Sequence, residues 1–433
     1  MSSRRMIARF GRFGVTVMPI VFRGLAMLVS GLVLVSCTQL GLNYASLETS
    51  NKREATPQIT ANTVEEWEQE AERLRGVFAD YVYGPWPEGL AVSFGKTRIA
   101  DPDYLGGRGI LEETPITLGE GPGARTFHLA VAYPKDLKGK SAPVVISQNF
   151  SNNCPVFQST ELTRPDGRQC TEDDVEFTGF AGWAIKTIFG EYIAKAPIEQ
   201  YFDRGIVYAN FFASEIVPDN TSAAEIVMSG LRQEPGIESN SALAYWSYGF
   251  SAAIDFFETD SRTDPNRVAA WGHSRHGKSV LLAGAWDKRI SLLISHQSGF
   301  GGAALNRSRK GERIDRVAGG YPHWFSPRLQ EFKDEPAELP FDQHQLVALS
   351  APRPLFLGNG RRDVWSDPNS TYRAAEAADR IWELYGSEGL DQDGLQGFNP
   401  AADLSFQLRK GGHGVTLVDV EDFMRFLDAH WGE

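Results

Sequence analysis

The sequence RVAAWGHSRHGKSVLLAG, residues 267–284, contains the pattern that decides the fold. An apolar run over 268–271 leads into a turn around Ser274, and small and apolar residues then recur at helical spacing. This order predicts a strand, a tight turn with Ser274 at its apex, and a helix whose first N–H groups point toward the turn. Such an elbow presents a serine hydroxyl for nucleophilic attack, and an ordinary strand-to-helix turn is the alternative. The pattern departs from G-x-S-x-G because His276 occupies the second glycine position and Gly277 follows it.

Strand-like apolar runs alternate with helix-like patterns over most of the 433 residues. The predicted strands are 90–94, 126–133, 142–147, 205–212, 268–271, 291–295, 353–357 and 404–408. Helices are predicted from residue 64, after the elbow, and at 242–258, 372–385 and 420–430. This alternation predicts an α/β fold, a three-layer sandwich around a mostly parallel central sheet.

The N-terminal segment differs from the rest of the chain in charge and hydropathy. Residues 1–36 contain five arginines and no acidic residue, and an apolar run covers 24–35. A basic segment followed by an apolar run and small residues indicates a secretory signal peptide. The run is too short to span a bilayer comfortably. We therefore predict a signal peptide over 1–36, a polar tether over 37–63 and a catalytic domain over 64–433.

The end of this segment, Leu-Val-Ser-Cys37, resembles the lipobox of bacterial lipoproteins. In that class the cysteine is acylated and becomes the first residue of the mature chain, so the resemblance implies a lipid anchor at Cys37. Thr38 follows the cysteine where an aspartate would favour the inner membrane, which implies the outer membrane in a Gram-negative host. A plain signal peptide with an incidental cysteine and an uncleaved membrane anchor are the alternatives.

The charge of the chain limits its partners. The formal net charge is −12, with 55 acidic and 43 basic residues, and removal of the signal peptide would make it more negative. No basic patch interleaved with aromatic residues is present. An acidic surface of this kind repels a phosphate backbone, so nucleic acid is excluded as a partner.

Residues around 150–196 form a long, mostly polar connection that we interpret as an inserted loop region. Connections of this length commonly form lids or binding walls. The segment contains Cys154 and Cys170, which we expect to form a disulfide outside the cytosol, worth about 3 kcal/mol. A metal site is the alternative, but no histidine or further cysteine stands nearby at ligand spacing.

Three residues fit the order of a catalytic triad. A serine hydroxyl needs a base to remove its proton, and the base needs an acid to hold its tautomer. In the α/β-hydrolase arrangement the three come in the order Ser, Asp or Glu, His, each after a strand. Ser274 follows one predicted strand, Asp363 follows the strand in RPLFL, and His413 lies between glycines after LSFQL. We therefore predict the triad Ser274, His413 and Asp363.

Other residues compete for these roles. Asp367 stands immediately before a proline, which is typical of a turn residue, and Asp363 is therefore the preferred acid. His273 and His276 flank the serine, but a neighbour in sequence cannot easily turn its ring onto the Ser274 hydroxyl. We expect both to shape the elbow. Of the eight histidines, only His413 lies between glycines after a late strand.

A family resemblance rests on these motifs. The segment 272–312, GHSRHGKSVLLAGAWDKRISLLISHQSGFGGAALNRSRKGE, is followed by PHWF, LPFDQH, APRPLFL, D-x-W-x-D-P and the late histidine. From about residue 84 to the C-terminus the chain resembles the bacterial glucuronoyl esterases of carbohydrate esterase family 15. The resemblance implies an α/β-hydrolase fold and cleavage of esters that link 4-O-methyl-glucuronate on xylan to an alcohol, notably of lignin. It implies neither a metal nor a cofactor.

The resemblance also implies roles for four further residues. Arg275 would supply a backbone N–H and a guanidinium to the oxyanion. Lys278, one helical turn after the serine, and Glu312 would contact the sugar, and Trp365 would line the uronate pocket. Without the family, the same residues read as an exposed helix lysine, a solvated glutamate and a core tryptophan.

One position departs from the family pattern. Many members have a glutamate ahead of S-G-x-G-G that serves as the triad acid, and here Gln297 occupies that position. An amide cannot stabilise an imidazolium as a carboxylate does. The acid must then come from Asp363, the other location that the family uses.

The sequence therefore predicts a serine esterase that acts on glucuronic acid esters. An acetyl or feruloyl polysaccharide esterase would use the same triad. A lipid-anchored glycan-binding protein without turnover is a further alternative, and Gln297 is the feature that suggests it.

Overall fold

The computed structural model describes residues 56–137, 141–176, 179–232, 241–307, 311–392 and 394–432. The predicted signal peptide, Cys37 and most of the predicted tether lie outside the described residues. Among the helices within these ranges, none combines the length and apolar character needed to cross a membrane.

Ten strands of the described residues form one mixed sheet. They are β1 Val92–Phe94, β2 Arg98–Asp103, β3 Gly109–Leu118, β4 Arg125–Pro134, β5 Ala142–Asn149, β6 Val207–Phe212, β7 Thr263–His273, β8 Leu292–His296, β9 Leu355–Gly360 and β10 Leu404–Arg409. The order across the sheet is β1-β3-β4-β6-β5-β7-β8-β9-β10, with β2 paired to β3. The six strands from β6 to β10 in this order are parallel, and the strands before them pair antiparallel.

The antiparallel end contains two strands that the sequence prediction missed, β2 and β3. Strand β3 includes Pro115, Glu112 and Glu113, which interrupt the apolar alternation that marks a strand. Both glutamates are buried, and they pair with arginines at 2.8 Å: Glu112 with Arg262 and Glu113 with Arg98. Ion pairs with these arginines therefore compensate the charge of acidic residues in a buried strand.

Helices cover both faces of the sheet. They are α1 Val64–Phe78, α2 Asn153–Phe157, α3 Glu172–Val175, α4 Gly179–Phe189, α5 Ile198–Phe202, α6 Ala213–Ile216, α7 Thr221–Leu231, α8 Ala242–Phe257, α9 Arg275–Trp286, α10 Ile314–Gly320, α11 Gln343–Ala348, α12 Pro368–Leu384 and α13 Leu417–Trp431. Successive side chains of a strand point to opposite faces. In β5, Val144 and Ile146 enter one hydrophobic core, and Val145 enters the other. The predicted three-layer architecture is therefore confirmed.

The region predicted to be an insertion, around residues 150–196, lies between β5 and β6. Cys154 and Cys170 form a disulfide with a Cα–Cα distance of 6.0 Å. The second half of the insertion reaches the loop after β10. There the Val415 N–H donates to the Phe189 carbonyl at 2.7 Å, and the Tyr192 N–H donates to the Val415 carbonyl at 3.2 Å. The insertion thus packs beside the loop that carries His413.

Candidate active site

Four loops leave the same edge of the sheet, because β7, β8, β9 and β10 are parallel. These loops carry Ser274, Gln297, Asp363 and His413 respectively. In open α/β sheets, ligands bind outside the carboxyl ends of the strands. This edge is therefore the candidate active site.

Ser274 occupies a strained turn between β7 and α9. Its backbone has φ 58° and ψ −124°, a conformation that costs a non-glycine residue about 1–3 kcal/mol. The Ser274 N–H donates to the His296 carbonyl at 2.8 Å, which ties the turn to β8. A Cβ on Gly272 would lie 2.3 Å from the His276 carbonyl oxygen, and one on Gly277 would lie 3.0 Å from that of His296. The two glycines therefore let the chain turn tightly around the serine.

Asp363 and His413 form a short side-chain contact at the site. His413 Nδ1 lies 2.7 Å from Asp363 Oδ2, and the carboxylate is fully buried. The other oxygen, Oδ1, accepts the N–H groups of Trp365 and Ser366, each at 3.2 Å. Burial acts to raise the pKa of Asp363, but His413 and the Ser366 hydrogen bonds outweigh it and hold the pKa below its ordinary value. A charged carboxylate at Nδ1 favours the tautomer in which His413 Nε2 is free to accept a proton.

His413 also lies beside the elbow. Its ring centroid is 4.5 Å from that of His273, the residue before Ser274. The Ser274 hydroxyl makes no hydrogen bond to His413 within the described chain, and such bonds are commonly long before substrate binds. Asp367, the competing candidate acid, instead accepts the Ser370 N–H at 3.2 Å and caps α12.

Gln297 ties down the loop that carries His413. Its Oε1 accepts the Gly414 N–H at 2.7 Å, and its Nε2 donates to the Gly412 carbonyl at 3.2 Å. The Gln297 side chain is buried. It therefore holds the backbone on both sides of His413 and contacts neither Asp363 nor the imidazole through a hydrogen bond.

A buried chain of polar groups lies behind His413, and sequence reasoning missed it. His273 Nδ1 is 2.8 Å from His296 Nδ1, and His296 Nε2 is 3.0 Å from Asp419 Oδ1. Asp419 also accepts from Arg409 Nε, with its two oxygens at 2.6 Å and 2.7 Å.

The surroundings of this polar chain fix the charges of its members. Burial acts to raise the pKa of Asp419, but His296 and Arg409 lower it to about 2. Burial holds the pKa of His273 far below its ordinary value, and the nearby His413 lowers this pKa further, by a smaller amount. His273 is therefore a neutral ring.

Arg275 directly follows the serine, at the first position of α9. Its backbone N–H has no partner within the helix at that position. Its Nη2 lies 3.0 Å from Asp219 Oδ2, and its guanidinium carbon lies 4.6 Å from the ring centroid of Phe150 and 5.4 Å from that of Trp324. Burial lowers the pKa of Arg275, although Asp219 acts against it. The guanidinium is thus fixed beside the elbow by one carboxylate and two aromatic rings.

Sequence reasoning did not identify Asp219. This residue lies between α6 and α7, and its Oδ1 accepts from His323 Nε2 at 2.9 Å and Trp324 Nε1 at 2.7 Å. His323 and Trp324 belong to the PHWF motif, so the motif acts on Arg275 through this carboxylate. The contacts of Asp219 with Arg275, His323 and Trp324 join residues that are far apart in the chain, so no local sequence pattern indicates them.

Lys278 and Glu312, both predicted to contact the sugar, contact each other. Lys278 Nζ lies 2.9 Å from Glu312 Oε2 and donates to the carbonyls of Ser298 and Phe300 at 2.6 Å each. All three ammonium protons therefore have partners, and the lysine side chain is only 2% exposed. Glu312 Oε2 also accepts the Phe300 N–H at 3.1 Å, and the glutamate side chain is 20% exposed. Glu312 is therefore the more accessible of the pair.

Trp365 stands at the mouth of the site. The residue is 39% exposed, although it is large and apolar. Its backbone N–H donates to Asp363 Oδ1, and its backbone carbonyl accepts the backbone N–H of Glu312 at 2.9 Å. The backbone of Trp365 is thus held between Asp363 and Glu312. In the described ranges, no group of three or more His, Cys, Asp or Glu side chains is arranged to hold a metal ion.

These features define a class of protein. A serine on a strained elbow, a carboxylate-bound histidine beside it and a mostly parallel sheet with helices on both faces are the features of carboxylic ester hydrolases with the α/β-hydrolase fold. Comparisons with known proteins agree. The sequence profile of a family described as "Glucuronyl esterase, fungi" matches residues 189–386.

Curated relatives have the same character. The carbohydrate esterase MZ0003, from an unknown prokaryotic organism, is 32% identical over 378 residues, which cover 85% of this chain and 86% of the relative. The 4-O-methyl-glucuronoyl methylesterase of Hypocrea jecorina is 35% identical over 157 residues, which cover 34% of each chain.

Solved structures extend the comparison. A promiscuous CE15 esterase from a marine bacterial metagenome superposes with a TM-score of 0.76 at 30% identity, covering 90% of this chain and all of the other. A glucuronoyl esterase from Solibacter usitatus gives 0.74 at 26% identity, covering 88% and 99%. This chain belongs to carbohydrate esterase family 15, the glucuronoyl esterases. The predicted family, α/β-hydrolase fold and enzyme class are confirmed.

Proposed function

We propose that the protein hydrolyses esters of glucuronic acid, including 4-O-methyl-glucuronic acid, on glucuronoxylan, such as lignin–carbohydrate esters. Family membership supports this substrate class, since the relative from Hypocrea jecorina is named a 4-O-methyl-glucuronoyl methylesterase. The observation that carries the proposal is the 2.7 Å contact between Asp363 and His413 beside the Ser274 elbow.

The mechanism is two-step acyl transfer. His413 Nε2 takes the proton of Ser274 Oγ as the oxygen attacks the ester carbonyl carbon, and Asp363 stabilises the imidazolium. Arg275 faces the oxyanion with its backbone N–H and its guanidinium. The tetrahedral intermediate expels the alcohol, which receives the proton from His413. Water, activated by His413, then cleaves the acyl-enzyme and releases the uronic acid.

The sugar side of the substrate meets Glu312 and Trp365. The partly exposed carboxylate of Glu312 can accept hydrogen bonds from sugar hydroxyls, and the exposed face of Trp365 can pack on the pyranose ring. Lys278 is buried beneath them, so its role is to hold Glu312 and the 298–300 loop in place. This assignment changes the predicted direct contact of Lys278 into an indirect one.

The test compares hydrolysis of benzyl glucuronate with that of a simple acetate ester by the purified soluble form. We expect a preference of at least roughly a hundredfold in kcat/KM for the glucuronate ester. Ser274→Ala should lower kcat by about 10⁴-fold or more. Hydrolysis that survives Ser274→Ala would contradict the mechanism, and a preference for acetate would contradict the substrate.

One observation favours a broader ester range. The superposed marine enzyme is described as promiscuous, and an acetyl or feruloyl esterase would use the same triad. Release of acetate from acetylated xylan without activity on glucuronate esters would select that alternative. The alternative of a glycan-binding protein without turnover is set aside, because membership of the esterase family establishes the enzyme class.

The proposal includes export and a lipid anchor at Cys37. The arginine-rich start, the apolar run over 24–35 and the lipobox-like end support this, and the disulfide between Cys154 and Cys170 suits an oxidising compartment. Cys37→Ala in the full chain should abolish incorporation of a labelled fatty acid into the protein. Labelling of the variant equal to that of the unmodified chain would contradict acylation at this residue.

A further inference from the structure

Both cations beside the elbow are paired with carboxylates. Arg275 lies 3.0 Å from Asp219, and Lys278 lies 2.9 Å from Glu312. The pairing matters because hydrolysis changes the charge of the ligand. A uronate ester is neutral at its carbonyl group, and the product acid is an anion at the same group. The site must therefore accept a neutral ligand and release a charged one.

An unpaired arginine would oppose that release. A guanidinium binds a carboxylate with charge-assisted, often bidentate, hydrogen bonds. In the proposed mechanism Arg275 faces the carbonyl oxygen, so the product carboxylate forms directly against it. The Arg275 side chain is only 25% exposed, and an interaction there is screened less than one in bulk water.

We propose that Asp219 governs product release: by pairing with Arg275 it offsets the charge that would otherwise retain the uronate, so that the site favours the ester over the acid. This inference rests on the proposed function. Asp219 touches no reacting atom in the mechanism and acts through Arg275, so it is a positioning and charge-setting residue.

The carboxylate of Asp219 is well suited to this role. Its two oxygens have separate partners, because Oδ1 accepts from His323 and Trp324 and Oδ2 faces Arg275. Burial acts to raise the pKa of Asp219, but His323, Arg275 and Trp324 hold the pKa below its ordinary value. The residue therefore remains charged wherever the enzyme is folded near neutral pH.

A purely structural role makes the opposite prediction. If Asp219 only held Arg275 in position, its loss would loosen the guanidinium and weaken the binding of ester and acid alike. If it offsets charge, its loss would tighten the binding of the acid and leave the ester nearly unchanged. The sign of the change in acid affinity separates the two roles.

The experiment uses Asp219→Asn in a Ser274→Ala background, which prevents turnover. The asparagine carbonyl can keep the bonds of Oδ1 to His323 and Trp324, and only the atom facing Arg275 changes. Calorimetry would measure the Kd of glucuronate and of methyl glucuronate. We expect the Kd of glucuronate to fall roughly tenfold and that of the ester to change less than about threefold.

The matched control is Asp203→Asn in the same background. Asp203 pairs with Arg108 at 2.6 Å on an exposed surface, so the variant removes the same charge far from the elbow. We expect it to change neither Kd by more than about twofold, because solvent screens exposed charges.

An unchanged or weaker affinity for glucuronate in Asp219→Asn would overturn the inference. If that variant does not fold, the Ser274→Ala protein alone gives a second measurement: glucuronate should bind no more tightly than methyl glucuronate, and tighter binding of the acid would overturn the inference. Failure of the proposed function is distinguishable, since the unmodified enzyme would then not hydrolyse glucuronate esters at all.

Discussion

Carboxylates support both sides of the Ser274 elbow, but they do so in different surroundings. On the base side, Asp363 holds His413 and is fully buried. On the cation side, Asp219 holds Arg275 and is 19% exposed. The imidazole becomes charged only during the reaction, whereas the guanidinium is charged throughout. The buried carboxylate of Asp363 therefore stabilises a charge that forms during the reaction, and the partly exposed carboxylate of Asp219 offsets a charge that is always present.

The difference predicts unequal consequences of substitution. A buried carboxylate in a low-dielectric site interacts strongly with its partner, and its loss leaves that partner without compensation. A partly exposed pair is screened by water. Changes on the base side should therefore reduce turnover most, and changes on the cation side should be smaller.

The largest effect is expected for Asp363→Asn. An amide at this position cannot stabilise the imidazolium and favours the wrong tautomer of His413, so kcat should fall by about 10⁴-fold with little change in KM. Steady-state kinetics on benzyl glucuronate measures this. The control is Asp367→Asn, since asparagine also caps helices well and kcat should stay within about threefold. Equal losses in the two variants would contradict the assignment of Asp363 as the acid.

On the cation side, Arg275→Lys should have the next largest effect. Lysine keeps the positive charge and the backbone N–H but loses the planar guanidinium that Asp219, Phe150 and Trp324 hold in place. We expect kcat to fall roughly a hundredfold, the size associated with one oxyanion donor. Arg267→Lys, earlier in β7, is the matched control and should leave kcat unchanged. A wild-type kcat for Arg275→Lys would remove the guanidinium from the mechanism.

The sequence predicted the features of this site that have local signals. Ser274 has Gly272 and Gly277 close by in the chain, His413 lies directly between two glycines, and both residues and Asp363 follow strand-like apolar runs. The partners in the supporting contacts come from distant parts of the chain. Asp219 joins Arg275, and His296 joins Asp419 across 123 residues. No spacing rule connects such pairs, so only the folded chain reveals them.

Two further differences have the same origin. The family resemblance implies that Lys278 contacts the sugar, but it does not indicate that the fold also directs the lysine ammonium to the carbonyls of Ser298 and Phe300. Strand β3 was missed because Glu112 and Glu113 look solvent-exposed in sequence, whereas arginines from elsewhere pair with them. In both cases the environment of a charged residue depends on tertiary contacts.

A third prediction concerns Asp419, the carboxylate behind the base side. Its pKa is about 2 in the folded protein, below the ordinary value of 3.8. A lowered pKa adds stability that is present above about pH 4 and is lost as the pH falls through about 2, here about 2 kcal/mol. Asp419→Asn should lower the free energy of unfolding by about that amount at pH 7, and the difference from wild type should narrow below pH 4.

Denaturant unfolding at pH 7, 4 and 3 measures this difference. The control is Asp428→Asn, which breaks an exposed ion pair with Arg204 and should cost less than about 1 kcal/mol at each pH. A difference between Asp419→Asn and wild type that stayed constant from pH 7 to pH 3 would show that the carboxylate contributes no charge-dependent stability.

The smallest effect is expected for Gln297→Glu, the residue that many family members carry at this position. In this protein Gln297 bridges Gly412 and Gly414, on either side of His413. Glutamate keeps an acceptor for the Gly414 N–H but places a negative charge against the Gly412 carbonyl. The loop should shift slightly, and kcat should fall roughly tenfold with KM unchanged, because the loop positions the base and not the substrate.

Gln297→Glu in an Asp363→Asn background tests whether a carboxylate at position 297 can act as the triad acid when Asp363 is absent. The amide of Gln297 holds backbone groups and makes no hydrogen bond to the imidazole, so a carboxylate there should not replace the lost acid, and the double variant should remain as inactive as Asp363→Asn. Recovery of kcat by tenfold or more would show that position 297 reaches His413. His413 could then be supported by a carboxylate at either of two positions. Its support would differ from that of Arg275, which pairs with Asp219, in the number of possible acids as well as in burial.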